Sequence, residues 1–168
     1  YKNHDDFFYY HFGYIYSLIK FEKLVGIGNL EHGFRTPSSI FYINSLFFLP
    51  YIKHYFLHAG AIYFMSFASI YFIQKIIDLR NYNYNKFLIL FLCFSFVFIN
   101  TIFYRIAEHG TDRSALILIF VIIAVILERI GAKKNLNFNQ FQEYNENILI
   151  LFFLIISLKS FYLIYGLL

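Results

Sequence analysis

The residues able to do chemistry in this chain fall mainly in two short stretches. The first, His4 to Ser39 (HDDFFYYHFGYIYSLIKFEKLVGIGNLEHGFRTPSS), holds the adjacent carboxylates Asp5 and Asp6, the histidines His4, His11 and His32, Arg35 and a Gly-rich polar turn. The second, RIAEHGTDRS, brings Glu108, His109 and Asp112 together with Arg105 and Arg113. If the two meet, one carboxylate can accept a proton from an attacking hydroxyl. Others can hold a hard divalent cation such as Mg²⁺ or Mn²⁺, with Asp6, Glu108 and Asp112 as the candidates. Arg35, Arg105 and Arg113 have the fork geometry that suits a phosphate. Lys159, alone in an apolar run, is a further cation that must find a cavity, a lipid-linked phosphate or a partner carboxylate.

Plainer roles stand beside these. Asp5 and Asp6 at a helix start can simply cap it and complement its dipole. Glu108 and Asp112 can be the ordinary charges of a span end. His4 and His11 are seven apart and can share a helical face, but no Cys/His spacing matches a structural zinc site. His32 and His109 read as loop contacts, and His54 and His58 as interfacial residues at the edge of a span. The pattern GIGNLEHG follows no evident strand and lacks a P-loop lysine, so Gly26, Gly28 and Gly33 read as a turn whose amides can still bind an anion.

The elements that must position these residues are apolar. Hydrophobic residues make up 60% of the 168 and charged residues 14%, and the mean hydropathy is +0.57. Several runs approach the ~20 residues that cross ~30 Å of hydrocarbon. The expected fold is all-α: a polytopic transmembrane helix bundle in a single membrane domain, with spans at about 55–74, 87–104, 114–130 and 148–168. Residues 1–54 form a loop with interfacial helices. One helix covers Asp6 to Lys23, with Asp6, Gly13, Ser17 and Lys20 on one face. The next is capped by Ser38 or Ser39 and ends by Leu49, ahead of Pro50. Both ends of the chain look cut, so a longer multi-pass protein is expected.

Connectors 75–86 and 128–147 hold six Lys/Arg between them, and the 105–114 turn holds two. The positive-inside rule therefore expects the connectors in the cytoplasm, with 1–54 and 105–114 together on the opposite, periplasmic side. The net charge of +4 is spread between apolar runs, which suits topology and a lipid bilayer partner, not nucleic acid. Cys93, the single cysteine, is expected to be a small buried hydrophobe.

An acidic residue following a span, a long first outer loop and a second acidic motif in the next outer loop resemble the GT-C superfamily of integral-membrane glycosyltransferases. HDDFFYYHFGYI, VGIGNLEHGFRTPSS, AEHGTDRS and SLKS are similar to stretches of a bacterial multi-pass family related to it. The resemblance implies transfer of a sugar from a polyprenyl-phosphate-linked donor at the periplasmic face of the bacterial inner membrane. Asp5 or Asp6 would match the first-loop catalytic carboxylate, and Glu108 and Asp112 the second-loop acidic motif, which binds metal in some members. His11, Arg35, Arg113 and Lys159 join Glu108 and Asp112 as candidate substrate contacts. No D-x-D pair is present. The alternatives are a flippase or transporter of lipid-linked glycans, and a non-catalytic membrane subunit.

Overall fold

The computed structural model describes residues 7–21, 25–30, 32–35, 38–80, 86–103, 110–132 and 138–167. Among them every regular element is helical. Asp5, Asp6 and Glu108 lie outside the described residues, as do His4, Arg105 and His109.

The N-terminal segment opens with a π-helical turn, Phe7–His11, that runs straight into α1, Phe12–Lys20. Two 3-10 turns follow, Ile27–Asn29 and His32–Phe34. The first is entered through Gly26, whose φ of 81° a side chain would disfavour. Helix α2, Ser39–Ser45, begins where Ser38 leaves extended backbone and accepts the Ile40 N–H, an ordinary serine cap. It ends before Leu49. A third 3-10 turn, His54–Phe56, leads into the long helices α3 (Ala59–Arg80), α4 (Lys86–Ile102), α5 (Gly110–Ala132) and α6 (Phe138–Leu158). A 3-10 stretch, Ser160–Leu167, follows.

Among the described residues three segments are long and apolar enough to cross a membrane: His54–Leu79, Asp112–Gly131 and Gln140–Leu158. Helix α4 is apolar but has only 17 residues. At 1.5 Å per residue that is about 26 Å, short of the ~30 Å hydrocarbon core.

One boundary differs from the sequence expectation. The stretch 128–147 reads as a polar connector and 148–168 as the last span, yet α6 starts at Phe138 and ends at Leu158. Two local contacts lie in its first turns. Gln142 Nε2 donates to Glu146 Oε1 at 2.9 Å, one turn on, and the Arg129 guanidinium lies 4.5 Å from the Phe141 ring centre.

Helix α5 is the centre of the bundle. Half of its apolar window is buried (50%), against 33% for that of α3 and 11% for that of α6. One of its faces packs Ala115, Leu118, Ile119 and Ile122 against Ile155 and Leu158 of α6 and against Tyr14, Ile15, Ile40 and Phe41 of the N-terminal segment. The other packs Ile117, Val121 and Ala124 against Phe72 of α3 and Leu92 and Ile99 of α4. Lipid tails are as apolar as these side chains, so close packing and cross-helix hydrogen bonds must hold the helices together. Asn100 Nδ2 donates to Ser69 Oγ across the α4–α3 interface at 3.2 Å. Near the far ends of α3 and α5, Lys75 Nζ meets Glu128 Oε1 at 2.7 Å. Cys93, expected inside, is exposed on α4.

Candidate functional site

Opposite the Lys75–Glu128 end, the first turn of α5 and the last turn of α6 lie side by side because the two helices run antiparallel. Asp112, in the first turn of α5, forms an ion pair with Lys159, the residue that follows α6. Each partner sits at the helix end whose partial charge it opposes, carboxylate at an N-terminus and ammonium beyond a C-terminus. Both side chains are less than half exposed, 45% for Asp112 and 43% for Lys159. Lys159 therefore follows a helix end rather than lying inside a helix, although its place in an apolar run suggested mid-span. The early start of α6 carries it to the end of the candidate span Gln140–Leu158.

The N-terminal segment is fastened to this same end. Ser38 Oγ donates to the Leu158 carbonyl at 2.5 Å, satisfying an α6 acceptor that has no partner within its own helix. Ser39 Oγ lies 3.0 Å from Ser157 Oγ. A second tie joins α2 to α3: Gly60 N–H donates to Asn44 Oδ1 at 3.1 Å, and a Cβ at position 60 would stand 2.5 Å from that oxygen.

The other candidates occupy separate positions. Arg113 places its guanidinium 5.8 Å from the centre of the Phe103 ring. His11 is buried at 8% exposure, with Tyr10 and Phe41 rings 4.4 and 5.0 Å from its own. Arg35 is exposed, and its Nε donates to the Gly28 carbonyl at 3.4 Å, closing the glycine-rich loop on itself. Tyr14 shares a hydrogen bond with Tyr42, 3.3 Å between hydroxyls. Desolvation, then that bond, raises the Tyr14 phenol above its ordinary range, so it stays neutral at physiological pH.

Among the described residues no group of three or more His, Cys, Asp or Glu side chains could hold a metal ion. Of the three metal candidates only Asp112 is described, and Lys159 engages its carboxylate. One polar group at this end was not singled out from the sequence. Ser114 Oγ, on the second turn of α5, is fully buried with no hydrogen-bond partner among the described residues. A serine following TDR in the sequence carries no mark of that burial.

The chain matches no protein-family model, no curated protein and no solved structure. The functional reading therefore stands on the geometry above and on the motifs in the sequence.

Proposed function

We propose that this chain is a membrane domain of GT-C type that transfers a sugar from a polyprenyl-phosphate-linked donor to a hydroxyl acceptor at the periplasmic face of the bacterial inner membrane. The observation that supports it most is the half-exposed Asp112–Lys159 pair at the bundle end to which Ser38 and Ser39 fasten the N-terminal segment. An ammonium held at the end of a candidate span is placed for a phosphate whose isoprenoid tail lies in the bilayer. Among the described residues Lys159 pairs with Asp112, and Arg113 is the next residue in sequence.

In this reading Lys159 and Arg113 bear the charge that grows on the phosphate as the bond from phosphate oxygen to the anomeric carbon breaks. Asp5 or Asp6 takes the acceptor hydroxyl proton as the new glycosidic bond forms. The products are the glycosylated acceptor and the polyprenyl phosphate, with the proton on the carboxylate. A divalent cation held by Asp6, Glu108 and Asp112 would add charge for the phosphate; for Asp112 this requires release of Lys159.

The test is single-turnover chemistry with the purified full-length protein in nanodiscs, using a polyprenyl-phosphate hexose radiolabelled in the sugar. Transfer predicts release of unlabelled polyprenyl phosphate together with a labelled water-soluble or lipid product. Movement of intact donor between leaflets of proteoliposomes, with no bond broken, would replace this reading with a flippase.

A further inference from the structure

A cavity of about 540 Å³ lies between the N-terminal helical segment and the turn that leads into α3. Phe7, Phe8 and Phe12 line one side, and His54, Tyr55, Phe56 and His58 the other. We infer that this cavity is a carbohydrate subsite, in which the C–H face of a sugar ring stacks on the aromatic rings while its hydroxyls meet the two imidazoles and the Tyr55 hydroxyl.

The lining chemistry carries the inference. Every described residue around the cavity bears a planar ring and none is aliphatic. The rings come from two aromatic-rich stretches, FFYYHF and HYFLH, that the fold brings face to face. A hydrocarbon tail gains little from rings over leucines, and it cannot use ring nitrogens or a phenol. A sugar ring uses both: polarised C–H bonds on a negatively charged π face, and hydroxyls for donors and acceptors. The volume falls within the roughly 300–1,000 Å³ of small-molecule pockets.

The walls are also fixed in place. The Phe7 and His58 rings are 4.6 Å apart, His54 stacks on Tyr55 at 4.7 Å, and Phe12 meets His54 edge-on at 6.0 Å. Phe7 is buried, whereas Phe8, Tyr55 and Phe56 are 70%, 77% and 48% exposed and so keep ring surface free. Just ahead of His54, Lys53 adopts φ 54°, ψ −124°, a conformation that a side chain rarely tolerates. Its N–H donates to the Leu49 carbonyl at 2.7 Å, which holds the sharp turn that delivers three consecutive ring residues to the cavity. Strain of this kind concentrates at ligand sites.

That the occupant belongs to a glycosyl donor or acceptor rests on the transferase reading; the binding of a sugar ring does not. The experiment uses the full chain in nanodiscs of deuterated lipid, with the methyl glycosides of glucose, galactose, mannose and N-acetylglucosamine as probes and saturation-transfer-difference NMR as readout. The variants are Phe8→Leu, Phe56→Leu and the double change, which keep apolar bulk but remove ring faces at exposed positions. The expected result is saturable binding of at least one glycoside through the C–H protons of one ring face, weakened at least tenfold in the double variant. Absence of binding by all four probes overturns the inference, and so does equal affinity in wild type and double variant. A photoactivatable isoprenoid that labels His54 to His58 while no glycoside binds also overturns it, in favour of a lipid groove. Glycoside binding without sugar transfer in the radiolabel assay keeps the subsite and removes the transferase; transfer without glycoside binding does the reverse.

Discussion

The Asp112–Lys159 pair separates two accounts of the same residues by the size of two effects. As a structural tie it contributes little, because both side chains are more than a third exposed and water and salt screen them. Exposed pairs stabilise by about 0.2–1 kcal/mol, which in a chain of this size moves Tm by no more than about 2–4 °C. As a phosphate contact, the Lys159 ammonium makes a charge-assisted hydrogen bond of about 1.5–3 kcal/mol. If that bond strengthens in the transition state, its loss costs roughly 10- to 150-fold in kcat/KM. The perturbations are Asp112→Asn, Lys159→Gln and the double change. Each is assayed for thermal unfolding in detergent and for kcat/KM toward a polyprenyl-phosphate sugar. Lys159→Gln should lose at least tenfold in kcat/KM with a Tm within a few degrees of wild type. Asp112→Asn should keep more activity than Lys159→Gln if the carboxylate only orients the amine. A Lys159→Gln protein with unchanged kcat/KM and a Tm lower by ten degrees would refute the reasoning and make the pair a structural clasp.

Three further outcomes follow from the packing. Gly60→Ala places a methyl 2.5 Å from Asn44 Oδ1 and 3.0 Å from Ile43 Cγ2 and disturbs the Gly60–Asn44 hydrogen bond; overpacking and the disturbed bond together should destabilise by about 2–5 kcal/mol, read as a fall in the detergent unfolding midpoint. Ser38→Ala removes both the α2 cap and the donor to the Leu158 carbonyl, and should cost about 1–2 kcal/mol while speeding proteolysis near Ser39. Lys75→Met leaves Glu128, whose side chain is 15% exposed, without its partner. Its cost should lie between the ~1 kcal/mol of an exposed pair and the roughly 3–5 kcal/mol of a buried one, and Glu128→Gln in the same protein should recover part of it.

How far the sequence shows this architecture depends on the range of the interactions. Apolar runs mark α3 and α5, because the bilayer asks length and composition of each helix independently of the others; α4 is also apolar but shorter. The cap of α2 is legible for a similar reason: Ser38 bonds to an amide two residues away. The start of α6 is not, since hydropathy ranks its Asn and Gln residues as loop-like, whereas the helix begins at Phe138 and carries a Gln142–Glu146 pair and an Arg129–Phe141 contact in its first turns. Lys159 illustrates the consequence. Its position in the sequence suggested a buried charge at mid-span, and the displaced helix turns it into an end residue whose partner, Asp112, is on another helix. His54 and His58 read as residues at the edge of a span. Only folding brings Phe7 and Phe12 from the other end of the loop to face them. Cys93 was expected inside because free cysteines usually are, yet in an apolar helix either face accepts it.

The central claim is that the carboxylates of the first stretch activate an acceptor for sugar transfer. Its most direct test is product formation by full-length Asp5→Asn and Asp6→Asn proteins at matched membrane expression, since Asn keeps the shape and removes the charge. The account predicts that one of the two abolishes the lipid-linked glycan product while the protein stays folded. Wild-type product from both would contradict it and leave Asp5 and Asp6 as helix caps.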